Sequence, residues 1–250
     1  MQKMKMRKMP GVSMSGRLFC AVYLLFWLMP SSGFAQSVSQ TDAQKKAADD
    51  ASTSGDIRDC QLSSVANLSA TAGNVDRDKL AQSINNCGKV ANSENHSTYW
   101  RSDAFKKIGE SYYHLDDLSN AMSNLNKAIE LDRTNATAYY ARADVYQKMG
   151  DARKAVSDFE SAASYGDKMG KMNGYQRIAL IYNDQYNYDL SIAYLTKAIE
   201  IASPLTTDPT LGFMYKVMMA NLYKNRGTIW SNKGDSVKAQ EDYKKSLDLK

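Results

Sequence analysis

Few side chains in this sequence have the types and spacing that chemistry requires. Asp116 and Asp117 could be drawn as a general acid–base pair. Adjacent residues in a turn between helices point apart, however, so solvated turn carboxylates are the expectation. Gly166-Asp167-Lys168-Met169-Gly170-Lys171-Met172 has the glycines and lysine of a phosphate-cradling loop. Its spacing is one residue short, Met172 stands where Ser or Thr would hold magnesium, and no strand precedes it, so a flexible connection is expected instead. The chain has only 2 histidines, and His96 near Cys60 and Cys87 leaves a zinc site short of ligands. No catalytic residue, cofactor or metal ligand is therefore assigned, and binding is the better candidate.

The charge balance points the same way. Of 32 Lys plus Arg, five (Lys3, Lys5, Arg7, Lys8 and Arg17) precede every acidic residue. Without them the basic residues equal the 27 Asp plus Glu. A neutral body lacks the basic footprint that a nucleic acid or an anionic lipid surface requires, so neither partner is expected. The five charges lead into the apolar run Leu18 to Met29, then Pro30-Ser31-Ser32 and Gly33-Phe34-Ala35. Residues 1–35 thus read as a secretory signal peptide cut between Ala35 and Gln36. The run would span about 18 Å as a helix against a hydrocarbon core of about 30 Å, so no membrane span is expected after cleavage. Export to a periplasm is the expectation, with secretion or the cell surface as alternatives. Cys20 leaves with the signal. Cys60 and Cys87 remain in an oxidising compartment, where an even number points to a disulfide; two buried free thiols are the alternative.

These residues must be positioned by an all-helical chain. Residues 36–55 hold no aromatic residue and a single valine, too little apolar surface to offset ordering, and read as a flexible leader. From Ser102 the sequence repeats with a period of 34: units 102–135, 136–169, 172–205 and 220–250. The eighth, twentieth and twenty-seventh places are small: Gly109, Ala121, Ala128; Ala143, Ala155, Ala162; Ala179, Ser191, Ala198; Gly227, Ala239, Ser246. The fourth and eleventh places carry rings: Phe105 and Tyr112, Tyr139 and Tyr146, Tyr175 and Tyr182, Tyr223 and Trp230. Leu125, Phe159, Leu195 and Tyr243 fill the twenty-fourth. Small residues let antiparallel helices approach, and large ones fill the gap to the next pair. Residues 206–219 read as an extension of the last unit's first helix, started by Asp208-Pro209. Its Met and aromatic residues suit an adaptable interface, but such a stripe is more often core, packed on the preceding unit.

This pattern resembles the tetratricopeptide repeat across residues 102–250, with Asp116-Asp117, Gly150-Asp151, Gln185-Tyr186-Asn187 and Gly234-Asp235 as its turns. The resemblance implies an α-solenoid whose first helices line a concave groove. Carried over place by place, the groove holds Asp103, Lys106, Glu110, Tyr113 and His114, then Thr137, Tyr140, Asp144, Gln147 and Lys148. Asn173, Gln176, Leu180, Asn183 and Asp184 follow, then Asn221, Lys224, Thr228, Ser231 and Asn232. Amides suit the backbone of an extended peptide and the tyrosines offer stacking area, so a peptide or protein partner is implied. The family's two-carboxylate clamp is not reproduced, because Glu110 and Ala141 stand where amides belong. Residues 56–95, read as helices Asp56 to Ala70 and Asp76 to Ala91, resemble the cysteine-bearing start of small exported bacterial members. Such a stapled pair would cap the first repeat. The last helix lacks a following repeat around Tyr243, Leu247 and Leu249, which makes a homodimer through the C-terminal repeat an expectation, with the extension from Phe213 to Met219 as a further contact.

Overall fold

The computed structural model describes residues 54–63 and 76–249. The signal segment, its cut at Ala35 and Gln36, and residues 36–53 of the leader lie outside them. Among the described residues ten α-helices follow one another: α1 (Ser54–Leu62), α2 (Arg77–Asn92), α3 (Thr98–His114), α4 (Leu118–Leu131), α5 (Ala136–Lys148), α6 (Ala152–Tyr165), α7 (Lys168–Asp184), α8 (Tyr188–Ala202), α9 (Gly212–Lys233) and α10 (Ser236–Asp248). The fold is an all-α solenoid in which each helix packs on its neighbours in sequence.

One turn device recurs within the helix pairs α3/α4, α5/α6, α7/α8 and α9/α10. Asp116, Gly150, Tyr186 and Gly234 take left-handed backbone, with φ of 67°, 81°, 60° and 92°. The next residue's N–H then bonds back to the eleventh-place carbonyl: Asp117 to Tyr112 at 2.9 Å, Asp151 to Tyr146 at 2.9 Å, Asn187 to Tyr182 at 2.8 Å and Asp235 to Trp230 at 2.9 Å. That residue also caps the second helix, Asp117 accepting from the Asn120 N–H at 3.0 Å and Asp151 from the Lys154 N–H at 3.1 Å. The outgoing carbonyls and the incoming N–H groups are both satisfied within four residues. Asp117 is thus a helix cap and Asp116 an ion-pair partner of Lys148 at 2.6 Å, so the adjacent carboxylates have separate structural jobs.

All twelve small places are buried. A Cβ on Gly109 would come within 2.6 Å of Leu125 Cγ, and one on Gly227 within 2.9 Å of the Tyr243 ring, so a side chain at either crossing would force Leu125 or Tyr243 to shift. Leu125, Phe159 and Leu195 are fully buried, whereas Tyr243 in the same place of the last unit is 36% exposed. The difference is physical: among the described residues no further helix pair covers it.

Two expectations are corrected. The glycine-bearing segment before Met172 is not a flexible connection, because Asp167 accepts from the Gly170 N–H at 2.7 Å and caps α7, which starts at Lys168. The two extra residues are absorbed as helix. At Asp208, the side chain accepts from the Thr210 and Leu211 N–H groups at 2.8 and 2.7 Å. Those bonds close a turn, and α9 begins at Gly212 rather than at Pro209. Of the helix expected from Asp56 to Ala70, the part to Leu62 belongs to α1, and residues 64–70 lie outside the described residues.

Candidate functional site

The first helices of the first two repeats enclose a cavity of about 360 Å³ lined by Glu110, Tyr113, His114, Leu125, Tyr140, Ala141 and Asp144. Five of these are groove residues by the repeat register. Helix periodicity explains the meeting: Glu110, Tyr113 and His114 lie three and four residues apart on α3, and Tyr140 and Asp144 four apart on α5. Leu125 and Ala141 supply the apolar floor.

Charge around the cavity is organised by α3. Lys106 lies 3.4 Å from Asp103 and 3.6 Å from Glu110, while Lys107 pairs with Asp103 at 2.7 Å. Burial pulls the Lys106 ammonium down, but Glu110 and Asp103 more than offset it and leave its pKa raised. Burial pushes the Glu110 carboxyl above its usual range despite Lys106. The Asp144 carboxyl is also raised by burial, with Arg177 opposing. Burial, then the nearby Lys148, lowers the His114 imidazole against the pull of Asp144, which favours its neutral form at neutral pH. Lys148 sits at the rim, bound to Asp116 and 4.8 Å from the centre of the Tyr113 ring.

The rings are both groove and core. Tyr140 meets Phe159 edge-on at 5.0 Å between centroids, and Tyr113 packs against the buried cluster around Ala121 and Leu125. The remaining groove residues are not drawn into this cavity. Asn173 and Gln176 on α7 are partly exposed, and Asn221 and Lys224 on α9 are exposed. Asn183 accepts from the Asn232 amide at 3.3 Å across α7 and α9.

Sequence reasoning missed Arg177. It sits at the sixth place of its unit, beside the groove positions, and reaches back to Asp144 and to Gln147, whose Oε1 accepts at 2.9 Å. Its guanidinium carbon lies 5.4 Å from the centre of the Phe159 ring. The available signal was an arginine 33 residues after an aspartate, close to one repeat length. Two buried clasps were missed as well. Arg142 donates twice to Asp158, at 2.7 and 2.9 Å, and once to Asn126 at 2.8 Å. Arg226 donates twice to Asp242, at 2.7 and 2.8 Å, and once to Thr196 at 2.9 Å. Each clasp joins the two helices of one unit and the second helix of the unit before.

At the N-terminal end Cys60 and Cys87 form a disulfide, with Cα atoms 4.5 Å apart. It ties α1 to α2 beside Ile57, Val90 and Trp100. At the other end Leu247 is 69% exposed. Leu249, expected beside it, instead packs against the cluster around Leu195 and Leu222. The extension is also mostly core: Tyr215 and Met219 are buried, Met214 and Met218 pack against the same cluster, and Phe213 stands 76% exposed. Among the described residues no helix is long and apolar enough to cross a membrane.

A family model described as TPR repeat matches residues 109–150, and one described as tetratricopeptide repeat matches residues 136–165 and 173–204. No curated protein matches the chain by sequence. Among solved structures, BtubC (BKLC) from P. vanneervenii is similar at 10% identity and a TM-score of 0.57, over 83% of this chain and 87% of that one. The crystal structure of MamA is similar at 20% identity and a TM-score of 0.54, over 69% and 90%. MamA 41-end from Desulfovibrio magneticus RS-1 gives 16% identity and a TM-score of 0.54, over 78% and 95%. At these identities the likeness is one of fold.

Proposed function

The chain carries tetratricopeptide repeats, and on that premise we propose that it is an exported, non-catalytic binding module of the periplasm or cell envelope. Its partner is a peptide or protein segment held on the concave face of the first helices. The observation that carries this reading is the cavity between α3 and α5, in which Glu110, Tyr113, His114, Tyr140 and Asp144 converge. A wider cleft of about 890 Å³ lies along the turn after α5, but Asp151 and Lys154 in its lining are already committed to each other and to capping α6. The basic start and apolar run of residues 1–29 support export, and a Cys60–Cys87 disulfide is consistent with an oxidising compartment. The test is where partner crosslinks fall: on first-helix residues if the groove binds, on second-helix residues if the outer face does.

Self-association is the second reading, favoured by the last helix. Leu247, Val237 and Tyr243 are exposed on α10, uncovered by any other described helix, and a two-fold contact would cover them. Sedimentation equilibrium of the exported protein should give a concentration-dependent dimer that Leu247→Glu abolishes with helix content unchanged. A strict monomer at high micromolar concentration contradicts the dimer and leaves the groove reading intact.

A further inference from the structure

Five features of the cavity between α3 and α5 define what would fill it. First, the charged groups that line it are the carboxylates of Glu110 and Asp144, one from each helix. Second, the cations that accompany them stand outside the lining. Lys106 divides itself between Asp103 and Glu110 at 3.4 and 3.6 Å, both longer than the ~2.7–2.9 Å of a charge-assisted hydrogen bond. Glu110 has Lys106 as a long ion-pair partner on one oxygen only, and Asp144 spends one oxygen on Arg177. Third, the walls are the rings of Tyr113 and Tyr140, whose faces attract cations. Tyr113 already carries the Lys148 ammonium 4.8 Å from its centre. Fourth, burial holds both carboxyls above their usual range, so each gains by the approach of a positive charge. Fifth, the cavity of about 360 Å³ lies near the lower end of the roughly 300–1,000 Å³ of small-ligand pockets, a scale suited to one long side chain.

The geometry points to a pocket for the arginine or lysine side chain of an extended peptide, its charge held between Glu110 and Asp144 and its stem against Tyr113 and Tyr140. This deepens the groove reading and rests on it. A peptide is favoured over a free amine because the groove continues past the cavity. Asn173 and Gln176 on α7 are partly exposed amides, able to pair with a peptide backbone on the far side of Arg177. With its neutral form favoured, His114 adds little repulsion, and Lys148 is neutralised by Asp116 at 2.6 Å.

The test is a titration of the isotopically labelled exported protein, followed by NMR, with four probes: acetyl-Ser-Gly-Arg-Gly-Ser-amide, the same peptide with citrulline for arginine, the same with glutamate, and cadaverine. The arginine peptide is expected to shift the resonances of Glu110, Tyr113, Tyr140 and Asp144. Citrulline, of the same shape without the charge, should bind at least about tenfold more weakly, the loss expected for a charge-assisted contact. Glu110→Gln, whose folding is checked by helix content, should weaken the arginine peptide by a similar factor and leave the citrulline peptide unchanged. Equal binding of the arginine and citrulline peptides, or preference for glutamate, overturns the cation pocket while leaving the groove as a peptide site. Cadaverine binding as tightly as the arginine peptide overturns the peptide as occupant. No shift at these four residues with any probe overturns the pocket outright, whatever partner the rest of the groove captures.

Discussion

Arg226→Met is expected to destabilise the protein by about 3–5 kcal/mol, the cost of stranding a buried charge. The side chain of Asp242 is 3% exposed, and Arg226 supplies both of its hydrogen bonds from a guanidinium itself 15% exposed. Methionine matches the arginine stem but gives the carboxylate nothing, and the third bond, to Thr196 on α8, is lost as well. Both the α9/α10 pair and its junction with α8 should loosen. The double replacement Arg226→Met with Asp242→Leu should recover most of the loss, because removing both partners of a buried ion pair is often neutral. Denaturant unfolding monitored by circular dichroism reads both variants. A single variant as stable as the parent would mean that the clasp contributes nothing.

The second large effect is expected at the other end. Reduction of Cys60–Cys87, which closes a loop of sequence separation 27, should cost about 3–4 kcal/mol on the chain-entropy model. Helix α1 packs on α2 alone among the described elements with more than marginal contact. Its buried side chains, Ile57 and Cys60, both belong to the cluster that covers Trp100 and Phe105. Reduction should therefore lower the melting temperature and release α1 before the repeats unfold. It should also raise hydrogen exchange along α2 and α3. An unchanged transition after complete reduction would mean that the helix pair caps the solenoid by packing alone.

What the sequence made legible was whatever repeats. Gly109, Ala143, Ala179 and Gly227 recur at one place because two helices can approach closely only there, and the same constraint buried Ala128, Ala162, Ala198 and Ser246. The groove register brought Glu110, Tyr113, His114, Tyr140 and Asp144 to one cavity. What stayed hidden does not repeat in every unit. The clasps occupy the seventh and twenty-third places of the second and fourth units only; the first and third carry Ile108 with Asn124 and Ile178 with Tyr194. An arginine and an aspartate 16 residues apart read individually as surface charges, and only the fold lays α5 on α6 so that they meet. Arg177 was hidden for a related reason, since its partners Asp144 and Gln147 belong to the preceding unit. The methionine-rich extension was open to two readings from its composition. Its composition suits an adaptable interface but is more often core; Tyr215 and Met219 are core, and Leu211, Phe213 and Val217 remain as its exposed apolar side chains.

The central claim is that the first-helix face is the binding face. A photo-crosslinking residue placed singly at exposed His114, Lys148, Asn221 or Lys224 on first helices, and at exposed Glu130, Glu160 or Lys197 on second helices, tests it in intact cells that make the protein. All these positions are exposed, and helix content is checked for each variant because Lys148 pairs with Asp116 and Glu160 accepts from the Tyr194 hydroxyl at 2.6 Å. The account predicts one partner adduct captured from the first-helix positions, strongest at His114 and Lys148 beside the cavity, and none from the second-helix positions. Adducts from Glu130, Glu160 and Lys197 with none from His114 and Lys148 would contradict it.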